Sequence, residues 1–187
     1  MKRKINSAVC LLICLSSAGY ITAASAADGD ITFTGQVVAS ACTLNGFNGA
    51  TGATGAVMTL ASVTPASFSS GGGYAGMQDF TIDLTNCDTT TLTNAQVSFT
   101  GNTDGSDPAI LLNTQTNSPA SGVGVAILEN DGTTLVGINN GQPSKEQALS
   151  KGATSLLFKV AYKANTATPN VTAGSVSAKT FIDITYH

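Results

Sequence analysis

Gly174, Val176, Ala178, Thr180, Ile182, Ile184 and Tyr186 occupy every second position and run to the penultimate residue of the sequence. A period of two is the mark of a strand with one buried face. A chain that ends one residue after such a strand has no following segment to lay along its edge. An apolar edge left open is an aggregation hazard, so something other than the next strand in sequence is expected to cover it. A second alternation, Ile31, Phe33, Gly35 and Val37, lies near the opposite end. Together the two segments suggest a subunit that completes a neighbour and is itself completed. On the residues alone, an ordinary first strand paired inside its own domain is an equally good reading of the second segment.

The first residues read as a secretory signal. Lys2, Arg3 and Lys4 form a basic leader, Ala8 to Leu15 an apolar core too short for a membrane span, and Ala24-Ser25-Ala26 a small-residue cleavage site. The expected organisation is a signal at 1–26, an extension at 27–40 and a single domain at 41–187, with cleavage after Ala27 as a variant. Loss of the three basic residues takes the net charge from −3 to −6. That balance excludes nucleic acid as an expected partner, because phosphate binding needs clustered Lys and Arg. Charged residues are 10% of the chain, far below the roughly 25% of ordinary globular proteins. Sustained alternation nevertheless argues for packed sheets and against disorder.

Cys10 and Cys14 leave with the signal, and Cys42 and Cys87 remain. An even count in an exported chain reads as one disulfide. The competing reading, a metal site, lacks ligands: two Cys and a single terminal His do not make a tetrahedral set.

Along the rest of the chain, Phe80, Ile82 and Leu84 alternate up to Cys87, and Val97-Ser98-Phe99 continues the pattern. Gly122 to Leu128 is an apolar run suited to a buried strand, closed by the turn Asn130-Asp131-Gly132. Leu156, Phe158, Val160 and Tyr162 alternate again. Val57-Met58-Thr59-Leu60 and Ile110 to Leu112 are short strand candidates. The glycine-rich stretch Gly46–Gly55 and the Ser-Gly stretch Ser67–Gly76 read as loops. Strands separated by Gly, Asn, Asp and Pro turns, with no sustained helical period, predict an all-β sandwich.

No catalytic constellation emerges, so no enzyme activity and no cofactor are expected. Gly71, Gly73 and Gly76 have the dinucleotide spacing but lack the preceding strand and following helix that the motif needs. There is no G-x-S-x-G elbow, and the one His ends the chain. Asp104 and Asp107 share a loop without an EF-type pattern and read as solvated turn aspartates rather than as a Ca²⁺ site.

The signal, Ile31-Thr-Phe-Thr-Gly-Gln-Val-Val38 shortly before Cys42, Phe80-Thr-Ile-Asp-Leu-Thr-Asn-Cys87-Asp88, Gly122-Val-Gly-Val-Ala-Ile-Leu128 and the ending from Gly174 to Tyr186 occur in one order. In that order and spacing, the sequence resembles a major-type subunit of chaperone–usher fimbriae, close to the type 1 pilins of Gram-negative bacteria. The resemblance covers the chain after the signal. It implies an incomplete immunoglobulin-like sandwich that lacks its final strand and is completed by donor-strand exchange. It implies export through the periplasm to an extracellular fimbrium used in adhesion. The implied partners are a periplasmic chaperone that lends a strand, an outer-membrane usher, and identical subunits. Ile31, Phe33, Gly35 and Val37 are then the donor face, and Gly174, Val176, Ile182, Ile184 and Tyr186 the acceptor groove and chaperone contact.

Two other readings compete. A minor or adaptor fimbrial subunit would share the extension and the single domain. A secreted carbohydrate-binding sandwich is of a different class, but such modules present aromatic rings to sugars and this chain has no Trp.

Overall fold

The computed structural model describes residues 41–52, 54–68, 73–165 and 171–187, together with Thr32 and Thr34. The signal, the donor-face residues Ile31, Phe33, Gly35 and Val37, and the rest of the 27–40 extension except those two threonines lie outside the described residues.

The strands are β1 (Thr43–Phe47), β2 (Ala50–Thr51), β3 (Tyr74–Cys87), β4 (Asn94–Gly101), β5 (Val123–Glu129), β6 (Gln147–Ala148), β7 (Gly152–Ala164) and β8 (Thr180–Tyr186). A 3₁₀ turn, Pro65–Phe68, accompanies them. They form two antiparallel sheets, β2-β1-β3-β7-β5 and β6-β4-β8. The all-β sandwich expected from the alternation is therefore what the chain builds.

The core follows from the period of two. Ile82 and Leu84 on β3, Leu156 and Phe158 on β7, and Val97 and Phe99 on β4 are all buried in one cluster. Phe158 stacks on Phe80 at 5.4 Å between centroids and meets Phe99 edge-on at 5.3 Å, the two arrangements that ring quadrupoles favour. Every residue of β5 is buried. One of its faces joins this core, and Ala126 and Leu128 on the other pack with Ile110 and Ala161 in a second cluster. That double burial is why Gly122–Leu128 reads as a continuous apolar run.

Three sequence expectations need correction. The Gly46–Gly55 stretch is not simply a loop: Phe47 pairs with Ala50 around an Asn48-Gly49 turn with both φ values positive, the favoured chemistry of a tight hairpin. Ser67–Gly76 gives way to β3 already at Tyr74. Asp104 and Asp107 are not solvated. Both are buried, Asp104 Oδ1 accepts from the backbone of Ser106 (2.8 Å) and Asp107 (3.1 Å), and Asp107 pairs with Lys163. Among the described residues there is no group of three or more metal-ligating side chains.

The hairpin is tied down by Asp83. Burial works to raise its pKa, but hydrogen bonds from Ser155 Oγ (2.7 Å), the Gly49 amide (2.6 Å) and Thr81 hold it below the ordinary value. A depressed folded-state pKa contributes stability above the unfolded value of about 3.9 that disappears as pH falls through the folded one. Asp83→Ala is expected to lower stability at pH 7 by about 1 kcal/mol, a hydrogen-bonding contribution discounted for solvent screening. Urea midpoints at pH 7 and pH 3 check this: the gap between the two proteins should narrow at the lower pH.

Candidate functional site

The sheet margins are not treated alike. β5 is clothed by Leu111, which exchanges backbone hydrogen bonds with Val125 (2.8 and 3.0 Å), and by Val136, whose amide donates to Ile127 (2.9 Å). The chain then crosses to the second sheet and clothes β4 through Ile138, Ser144 and β6. β8 pairs with β4 along its length. On its other side it has no ladder partner among the described residues.

The register fixes what that margin presents. Asn94 and His187 exchange both backbone bonds, at 3.1 and 3.0 Å, so antiparallel alternation puts Tyr186, Ile184 and Ile182 in the non-hydrogen-bonded pairs with Ala95, Val97 and Phe99. Their N–H and C=O groups point away from β4, while their side chains pack on the main core. No residue of β8 is fully buried, in contrast to β5. The Tyr186 hydroxyl donates to the Cys42 carbonyl at 3.4 Å, and burial pushes its pKa up. The opposite face of β8 carries Asp183 and also Phe181, which is 60% exposed beneath the Lys179 ammonium, 4.9 Å from the ring centroid.

The terminal alternation spans two environments. β8 begins only at Thr180. Before it, Ser175 pairs with the 118–120 segment, and the Ser177 carbonyl accepts from Thr114 N at 2.8 Å. Gly174 lies so close to that segment that a Cβ would stand 2.3 Å from Ala120 N. Gly174 and Val176 therefore do not extend the ladder of β8. With Val63, Phe68, Val123 and Tyr162 they line a cavity of about 420 Å³, while Val176 also joins Ile182, Ile184 and Tyr186 on the core.

Across from these residues runs a segment whose importance the sequence only hinted at. Val57, Thr59 and Ala61 face out, while Met58, Leu60 and Val63 are half-buried, and Met58 and Leu60 pack on the same core. The segment has the alternation of a strand without a place in either ladder. β3 bends to meet it. Its register with β7 shifts between Ala75 and Gln78, and Gly76 sits there at φ +61°, where a Cβ would meet Val63 at 2.9 Å and Tyr162 at 3.2 Å. A glycine with positive φ lets a bulge form where another segment approaches closely.

Cys42 and Cys87 are joined, as the even count led us to expect. The bond fastens the first described residues of the domain to the end of β3, and Asp88 N donates to Ala41 O beside it (2.6 Å).

A family model described as "Fimbrial protein" matches residues 31–187. The chain belongs to the fimbrial protein family. Among the relatives of this fimbrial subunit, the laminin-binding fimbrial subunit ElfA of Escherichia coli O157:H7 is 32% identical over 192 residues, covering 100% of both chains. The probable major fimbrial subunit LpfA of the same organism is 35% identical over 171 residues, 91% of this chain and 90% of its own. In structure, the P pilus rod subunit PapA matches with a TM-score of 0.62 at 18% identity, over 79% of this chain and all of its own. The fold of this pilin is thus the incomplete immunoglobulin-like sandwich, and it is a structural subunit of a pilus. The family is one of structural subunits. Among the described residues no helix is long and apolar enough to cross a membrane.

Proposed function

We propose that this fimbrial subunit polymerises with copies of itself by donor-strand exchange. The extension of one subunit, through Ile31, Phe33, Gly35 and Val37, enters the groove between β8 and residues 57–63 of the next. A strand laid there gains ladder hydrogen bonds along a sheet margin and places alternate side chains in apolar pockets, the general logic of β-augmentation. The observation that carries this reading is the margin of β8, where the backbone groups of Ile182, Ile184 and Tyr186 face outward while their side chains reach the core. Gly174 and Val176 form the end of the same groove. Before assembly a periplasmic chaperone occupies it, an outer-membrane usher hosts the exchange, and the product is an extracellular fimbrium.

A chain truncated before Ala41, mixed with a synthetic peptide of residues 30–39, tests the reading. Peptide at about a hundred times its Kd stabilises by about 2.7 kcal/mol through mass action, which for a domain of this size raises Tm by about 5–10 °C. A melting temperature indifferent to peptide, with the disulfide formed, sinks the proposal.

A further inference from the structure

Gln78 is a polar side chain on the inward face of β3. It stands opposite Val160 in the ladder with β7, two pairs from Phe80 and Phe158, and it is half-buried. An amide on an apolar face must find partners or carry a desolvation cost. Its partners are on the 57–63 segment. In the orientation that satisfies both amide atoms, Nε2 donates to Thr59 O at 3.3 Å and Oε1 accepts from Ala61 N at 3.1 Å. These two bonds reproduce, from a side chain, the donor and acceptor pair that a neighbouring strand would supply. They fall on alternate residues, the spacing at which an extended segment presents backbone groups to one side.

We infer that Gln78 is the positioning residue of the groove: its amide stands in for a ladder rung and holds residues 57–63 at strand spacing. The inference rests on the donor-strand reading. Val63 and Tyr162 both close on the space that a side chain at Gly76 would need, and Gln78 fixes the preceding residues, so that Met58 and Leu60 pack on the core. An incoming strand then meets a wall already set in extended conformation and orders fewer residues on binding, which lowers the entropic cost of association. The side chain acts on the wall and need not touch the donor.

The test uses fibres of the full mature chain. Gln78→Met keeps length and apolar bulk but can neither donate nor accept. Fibres of this variant should dissociate to monomers in denaturant about tenfold faster than unmodified fibres, the scale of a lost pair of partly buried hydrogen bonds. In the monomer, hydrogen exchange at the Ala61 amide should speed up while the amides of the β3–β7 ladder stay protected. Equal dissociation rates, or Ala61 exchange unchanged, overturn the inference and leave the donor-strand reading standing. Protection lost across β3 and β7 as well also overturns it, because Gln78 would then be a residue of the fold and not of the wall. A mature chain lacking residues 27–40 is the separate control: if it forms equally long fibres, donor-strand exchange itself fails, whatever Gln78 does.

Discussion

Purified subunits carrying Ile184→Asp, mixed one in ten with unmodified subunits, should shorten the fibres to a mean on the order of ten subunits, as expected when a head-to-tail filament meets a unit that cannot be extended. Ile184 lies opposite Val97 and packs on the core at the margin of β8. A carboxylate there makes an incoming apolar strand desolvate a charge, a cost of several kcal/mol. The variant keeps its own extension, so it still joins a growing fibre and then blocks the next addition. Gly35→Leu is the mirror experiment. It alters only the donor, where overpacking costs about 1–3 kcal/mol; its groove is intact, so such subunits accept an unmodified extension but donate poorly, and are expected at one end of a fibre and depleted from its interior. Both variants are first verified as folded monomers with intact disulfides, and lengths are read by electron microscopy. Unchanged lengths with Ile184→Asp found inside the fibres would show that β8 does not accept a strand.

The second large effect concerns the disulfide. Replacing Cys42 and Cys87 together by Ser should lower stability by about 4 kcal/mol on the chain-entropy model for a loop of this size, equivalent to a fall in Tm on the order of 10 °C. The two cysteines close a sequence separation of 45, and the buried pair lies in the main core, so the loss combines chain entropy with disturbed packing. Thermal melts of the oxidised protein, the reduced protein and the double variant check this. Coincidence of all three curves would mean that the bond contributes nothing to the folded state.

Much of the sandwich was legible because inward residues alternate wherever a strand has one wet face. Phe80–Leu84, Leu156–Tyr162 and Ile182–Tyr186 announced β3, β7 and β8 in this way. The glycine-rich stretch near Gly46 misled, because a count of glycines hides the Asn48-Gly49 pair that closes the hairpin. Asp104 and Asp107 misled for a different reason: their local turn bonds are supplemented by side chains from a distant region, Lys163 on β7 for Asp107 and Asn165 for Asp104. Of the segments that would wall the proposed groove, β8 was legible as a strand, since its alternating residues are neighbours in sequence. Residues 57–60 stood out only as a short strand candidate with no assigned partner. The backbone of this segment is held at Thr59 and Ala61 by the side chain of Gln78 in a bulged strand, an arrangement for which no local pattern exists.

The covalent tie between Cys42 and Cys87 also has a mechanical meaning. In a fibre joined by donor strands, tension enters each subunit through the extension and reaches the domain at Cys42. Without the bond it would fall first on β1, whose rungs to β3 run from Thr43–Thr85 to Phe47–Ile82 and could break in succession like a zip. The sulfur bridge carries the load past them to the end of β3, whose ladder with β7 extends from Tyr74 to Cys87. There it is shared by many rungs in the middle of a sheet. The subunit is thereby anchored on a strand paired on both sides, and a pull along the fibre is not borne by β1 alone.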